Sequence, residues 1–136
     1  MAQASVPTPR PLSEPFLAAL AEHEEVLVTS RGQGEQGTVP VWYVIAPPGV
    51  LYLFGMSYAV RARRWRADPW VRLTVPGTRC STEGLVRFVA AEEIDDALAE
   101  RVVEKWSMAG APTAAGLRRT VRDGVHVLVR VEGSLH

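Results

Sequence analysis

One cysteine, Cys80, stands in 136 residues, so no intramolecular disulfide can form and the small secreted scaffolds that depend on bridges are excluded. A surplus of charge is also missing: 15 Lys and Arg stand against 15 Asp and Glu. A surface that binds nucleic acid throughout needs a basic excess, so nucleic acid is not an expected partner and any polyanion site must be local. No run of residues approaches the ~18–20 apolar positions of a membrane span. The N-terminal stretch carries Pro7, Pro9, Pro11 and Pro15 and lacks the apolar core of a signal peptide. No Cys/His cluster has zinc spacing, and the glycine-rich stretch 32–37 lacks the GK[ST] ending of a phosphate loop. These absences leave a soluble cytoplasmic protein, with no membrane segment and no metal site expected. Hydrophobic residues make up 47%, enough for one packed core. The reading is a loose leader over 1–13 and one domain over 14–136.

Along that domain, apolar spacing and turn residues predict six strands and several helices. Ser13 caps a helix over 14–23, with Pro15 in its first turn. Strands are predicted at 25–30, 38–46, 50–54, 70–75, 85–91 and 125–131. Pro40 has no N–H to donate, which places its strand at a sheet edge or bulge. Pro47-Pro48-Gly49 turns the second strand into the third as a hairpin. A helix over 58–67, capped by Ser57, stops at Asp68-Pro69 because the residue before proline leaves the α region. A long helix spans 92–109, a helical turn 114–121. Six short strands, mostly in an antiparallel meander, suggest a closed or nearly closed barrel. The final strand reads as half-buried, its valines alternating with His126, Leu128 and Arg130.

Two places carry chemistry. Arg61, Arg63, Arg64 and Arg66 fall within six positions of one helix, with Arg61 and Arg64 on one face and Arg63 and Arg66 on a neighbouring one. Guanidinium forks beside a helix N-terminus suit a phosphate, although a solvated helix face would look the same. The second place is Val39-Pro40-Val41-Trp42-Tyr43, a proline-interrupted strand whose free backbone groups suit the polar edge of a flat heteroaromatic ring. Trp42 and Tyr43 point to opposite faces, so one can line a slot while the other enters the core. Catalytic candidates are thin. His23, His126 and Cys80 have no partners at useful spacing, and no proton donor can be named. Glu92, Glu93, Asp95 and Asp96 sit at a helix start, where they complement its dipole.

In order and spacing, VLVTSRGQGEQGTVPVWYVI, VLYLFGMSYAVRARRWRADPWVRLTV and LVRFVAAEEIDDALAERVVEKW resemble the pyridoxamine 5′-phosphate oxidase-like split-barrel flavoproteins. The resemblance covers residues 14–131. It implies a mainly β fold, a six-stranded antiparallel split barrel that forms a homodimer with its cofactor in clefts between subunits. The implied function is a flavin-dependent oxidoreductase acting on a small-molecule substrate. The implied cofactor is flavin mononucleotide (FMN), and the alternative is a deazaflavin coenzyme, whose larger tail Arg63, Arg66 and Arg72 could meet. A non-catalytic module that holds flavin or haem is the other reading. Carried over by position, Val39, Pro40, Val41, Trp42 and Tyr43 run along the ring, and Phe54, Gly55, Met56 and Ser57 meet the ring and ribityl chain. Arg61 stands where the family has a phosphate-binding lysine, with Arg64 beside it where asparagine is common. Trp106, on the long helix, is placed to reach the partner's cofactor. Gly55 and Ala59 replace hydroxyl residues, which removes hydrogen bonds worth ~0.5–1.5 kcal/mol each. The sequence stops short of the tail with which true pyridoxamine phosphate oxidases complete their substrate site, so that particular activity is not expected.

Overall fold

Ser13 caps the first helix: its hydroxyl accepts from the Phe16 N–H at 3.4 Å, and α1 runs Glu14–Leu20 with Phe16 and Leu20 buried. The protein is described from a computed structural model over residues 10–31, 37–106 and 113–133. Most of the leader, the glycine-rich turn and the predicted end of the long helix at 107–109 therefore lie outside the described residues. After α1 come β1 (Glu25–Ser30), β2 (Thr38–Trp42), β3 (Val44–Ala46), β4 (Val50–Met56), α2 (Val60–Ala67), β5 (Trp70–Thr74), β6 (Ser81–Phe88), α3 (Asp96–Trp106), α4 (Ala114–Arg122) and β7 (His126–Gly133).

Seven strands stand where six are expected. The predicted strand 38–46 breaks at one residue, Tyr43, and its halves belong to opposite edges of one antiparallel sheet ordered β2-β1-β5-β6-β7-β4-β3. β2 pairs with β1, Val26 opposite Val41, while β3 pairs with β4, Val44 opposite Tyr52. One residue of chain thus joins the two edges, and the sheet has to curl into a barrel. Pro40 does lie on an edge strand, and Pro47-Pro48-Gly49 does turn β3 into β4.

Tyr43 explains the break. Its side chain turns into the barrel, 8% exposed, and one hydroxyl proton is shared between the carbonyls of Leu20 at 2.8 Å and His23 at 2.7 Å. The Leu20 carbonyl ends α1 and also accepts from the His23 N–H at 2.9 Å, and the His23 carbonyl lies just past the helix. Tyr43 therefore ties the strand crossing to the helix that packs on the barrel interior. Phe16 and Leu20 share that interior with Val28, Leu53, Leu73 and Val129, and Trp65 of α2 reaches it too.

A second apolar layer lies outside the barrel. Leu98, Val102 and Trp106 of α3 and Leu117 of α4 cover Phe54 and Leu128. This layer corrects the expectation for β7, which is buried on both faces from Leu128 to Val131. It also holds the long helix to a later start than predicted. Ala91–Glu93 makes a single 3₁₀ turn, whose Glu93 carboxylate accepts from the Ala90 N–H at 2.8 Å. The Asp95 carboxylate accepts from the Leu98 N–H at 2.8 Å and so caps α3. β6 begins four residues earlier than predicted, because pairing of Ser81 with Thr74 recruits a polar stretch into the ladder.

Replacing Tyr43 with Phe keeps the ring and removes the hydroxyl donor from the Leu20 and His23 carbonyls, of which Leu20 keeps the His23 N–H. The loss is expected to be about 1–3 kcal/mol. Urea denaturation checks it, as a lowered midpoint at unchanged slope.

Candidate functional site

The β3–β4 ladder pairs Val44 with Tyr52, Ile45 with Leu51 and Ala46 with Val50. Extended by the same rule past Tyr43, it would set Trp42 opposite Phe54, Val41 opposite Gly55 and Pro40 opposite Met56. That extension is not made. β2 has left for β1, and β4 continues with β7 alone on its other side. The six residues instead line a cavity of about 340 Å³, closed further by Glu25, Arg61, Trp106 and His126. The size falls within the roughly 300–1,000 Å³ of small-molecule sites. The cavity is thus an open fork in the barrel, with two strand edges that lack ladder partners facing each other across it.

Its walls are aromatic. Phe54 lies between Trp106, at 5.6 Å between ring centroids, and His126, stacked at 4.7 Å. Trp42, 39% exposed, stands at the mouth. Of the two adjacent aromatics, Trp42 takes the cavity and Tyr43 the core, as alternation along a strand requires.

Arg61 supplies the charge. It is half-buried, and no carboxylate lies within ion-pair distance of it among the described residues. Burial draws its pKa down from the ordinary value, and the guanidinium keeps its charge at neutral pH. A half-buried cation that makes no ion pair is costly, and an anion beside Arg61 would relieve it, with the Glu25 carboxylate elsewhere in the same cavity wall. Gly55 makes room for it: a Cβ there would stand 3.0 Å from an Arg61 Nη. The absent side chain at 55 is therefore the space that the arginine fork occupies, besides being a lost hydroxyl. At the start of α2, Ala59 offers no side-chain acceptor, so the helix begins without a side-chain cap.

The remaining predicted residues fall elsewhere. Ser57 is no cap for α2: its Oγ donates to the Gly124 carbonyl at 2.6 Å and fastens the end of β4 to the turn before β7. Val39 is half-buried against the barrel interior, and Arg64 lines no part of the fork. Two lining residues come from pairings that sequence order does not reveal. Glu25 stands opposite Trp42 across β1 and β2, and His126 opposite Met56 across β4 and β7. His126 Nδ1 is buried without a hydrogen-bond partner, and burial holds the imidazole below its ordinary pKa, neutral near pH 7.

No protein-family model matches the sequence, and no curated protein does. Solved structures do match. A FAD-binding protein from Mesorhizobium loti aligns at TM-score 0.62 and 19% identity, over 91% of this chain and 91% of that one. An F420 reductase aligns at 0.60 and 17%, over 91% and 97%. A Listeria innocua protein provisionally named a pyridoxamine 5′-phosphate oxidase aligns at 0.60 and 15%, over 90% and 93%. The fold is the split barrel. Identities this low carry the architecture, and function has to be argued from the fork itself.

The neutral burial of His126 has a sign. Its folded pKa lies below its unfolded one, so the unfolded chain takes up the proton first as pH falls. Stability should therefore drop on acidification below about pH 6.5, the ordinary histidine value. His126→Phe keeps a stacking ring and removes the titration, so thermal melts at pH 8 and pH 5 should show a smaller acid loss in the variant. An equal loss in both proteins would contradict the assignment.

Proposed function

We propose that this protein binds a flavin in the fork between β2 and β4 and works as a homodimeric flavin-dependent oxidoreductase, with FMN as the cofactor. One observation carries the reading: a half-buried Arg61, without a carboxylate partner among the described residues, at the edge of an aromatic slot. A flat ring with an anionic tail satisfies both halves of that arrangement. The architecture shared with a FAD-binding protein and an F420 reductase supports a flavin or deazaflavin type of cofactor. FMN is preferred because a single arginine serves a single phosphate.

In this reading Arg61 binds the phosphate through its fork. Trp42, Phe54 and Trp106 enclose the ring and exclude water. The facing edges of β2 and β4 offer backbone donors and acceptors to its polar rim, as Pro40 leaves that part of β2 short of one donor. Bound there, the flavin supplies hydride or electron transfer, and the protein supplies orientation and electrostatics. The fork opens to solvent beside Trp42, and a second copy of the chain covers it.

Arg61→Ala should weaken FMN far more than riboflavin, which lacks the phosphate. Loss of a charged hydrogen bond worth about 1.5–3 kcal/mol corresponds to roughly 10–150-fold in affinity. Flavin fluorescence quenching reads both ligands, and equal losses would show that Arg61 does not meet the phosphate. Light scattering at micromolar concentration should give a dimer. A monomer would leave the fork uncovered and sink that part of the proposal.

A further inference from the structure

Another cavity, of about 530 Å³, opens on the other flank of α2. Arg63 and Arg66 stand in its wall, and the partly exposed Phe88, Val121 and Val127 make an apolar surface beside them. No carboxylate lines it. Neither arginine has an acidic partner within ion-pair distance among the described residues. Arg66 is fixed in place: its Nη1 donates to the Ser57 carbonyl at 3.0 Å, and its guanidinium lies 5.2 Å over the Phe88 ring. Its other N–H groups remain to receive an acceptor. The single residue common to this cavity and the fork is His126, whose Nδ1 is buried without a partner.

We propose that this second cavity is a binding site for a small carboxylic acid with an apolar ring. Two guanidinium groups above an apolar floor match such a molecule in both charge and surface. Arg63 and Arg66 take the carboxylate, and Val121 and Val127 with the uncovered part of Phe88 take the ring. Through His126 the bound acid lies one side chain from the fork, so it neighbours the flavin of the proposed function without touching it. That neighbourhood rests on the flavin reading, whereas the binding site itself does not.

The probe is anthranilate, whose own fluorescence reports binding, with the neutral anthranilamide as its isostere. Titrated into the full chain, the acid should bind at least about tenfold more tightly than the amide, a difference of ~1.4 kcal/mol. Arg63→Ala, at an exposed position, should abolish that preference, and Arg66→Gln should weaken it. Arg61→Ala should leave it unchanged, and saturating FMN should not displace the probe. Equal binding of acid and amide, indifference to Arg63→Ala, or displacement by FMN would each overturn the site. FMN binding is measured in the same samples. A protein that holds anthranilate as described and takes up no FMN would retain the acid site and lose the flavin reading.

Discussion

One residue of chain holds the architecture together. β2 and β3 lie at opposite edges of a seven-stranded sheet and are separated by Tyr43 alone. No flat sheet permits that connection, so closure is forced by covalent geometry, and the twist of the strands only shapes it. The Tyr43 hydroxyl then locks the crossing to the end of α1, and the Lys105 ammonium of α3 lies 5.4 Å over its ring from the outer layer. Inner helix, barrel and outer helix meet at this side chain.

The fork follows from the same crossing. A strand that must reach both edges cannot stay zipped to β4 along its whole length, so the ladder ends where β2 swings away. What opens is a slot between two strands, already lined by the alternating side chains of each. The remaining wall comes from helices placed by the outer layer. Trp106 is buried and lines the slot at once, so core packing and a place in the slot wall belong to the same ring. The four arginines of α2 part company here. The helix buries Ala62 and Trp65, which sends Arg61 to the fork and Arg63 and Arg66 to the far flank.

Local signals made much of this legible. Ser13 with Pro15, the Asp68-Pro69 stop and the Pro-Pro-Gly turn each act within a few residues, and each sits where its chemistry demands. The resemblance to split-barrel flavoproteins supplied the barrel and most of the slot, because Pro40 to Trp42 and Phe54 to Met56 lie in the segments that carry it. What stayed hidden depends on pairings between distant strands. Glu25 and His126 enter the site through β1–β2 and β4–β7, and neither partner is marked by spacing. The burial of β7 on both faces was hidden too, since alternation along a strand says nothing about a helix layer on its outer side. Ser57 misled for a related reason: a serine before a helix looks like a cap until a distant carbonyl, that of Gly124, claims its hydroxyl.

Pro40 has a consequence for how the chain keeps company with others. An unzipped strand edge invites a stray strand, from this chain or another, to dock and continue the ladder. At position 40 such an intruder finds a ring in place of an amide proton, and the zipper stalls beside the very gap it would have filled. The imino acid works as a doorstop, holding ajar a gap that another polypeptide cannot zip shut.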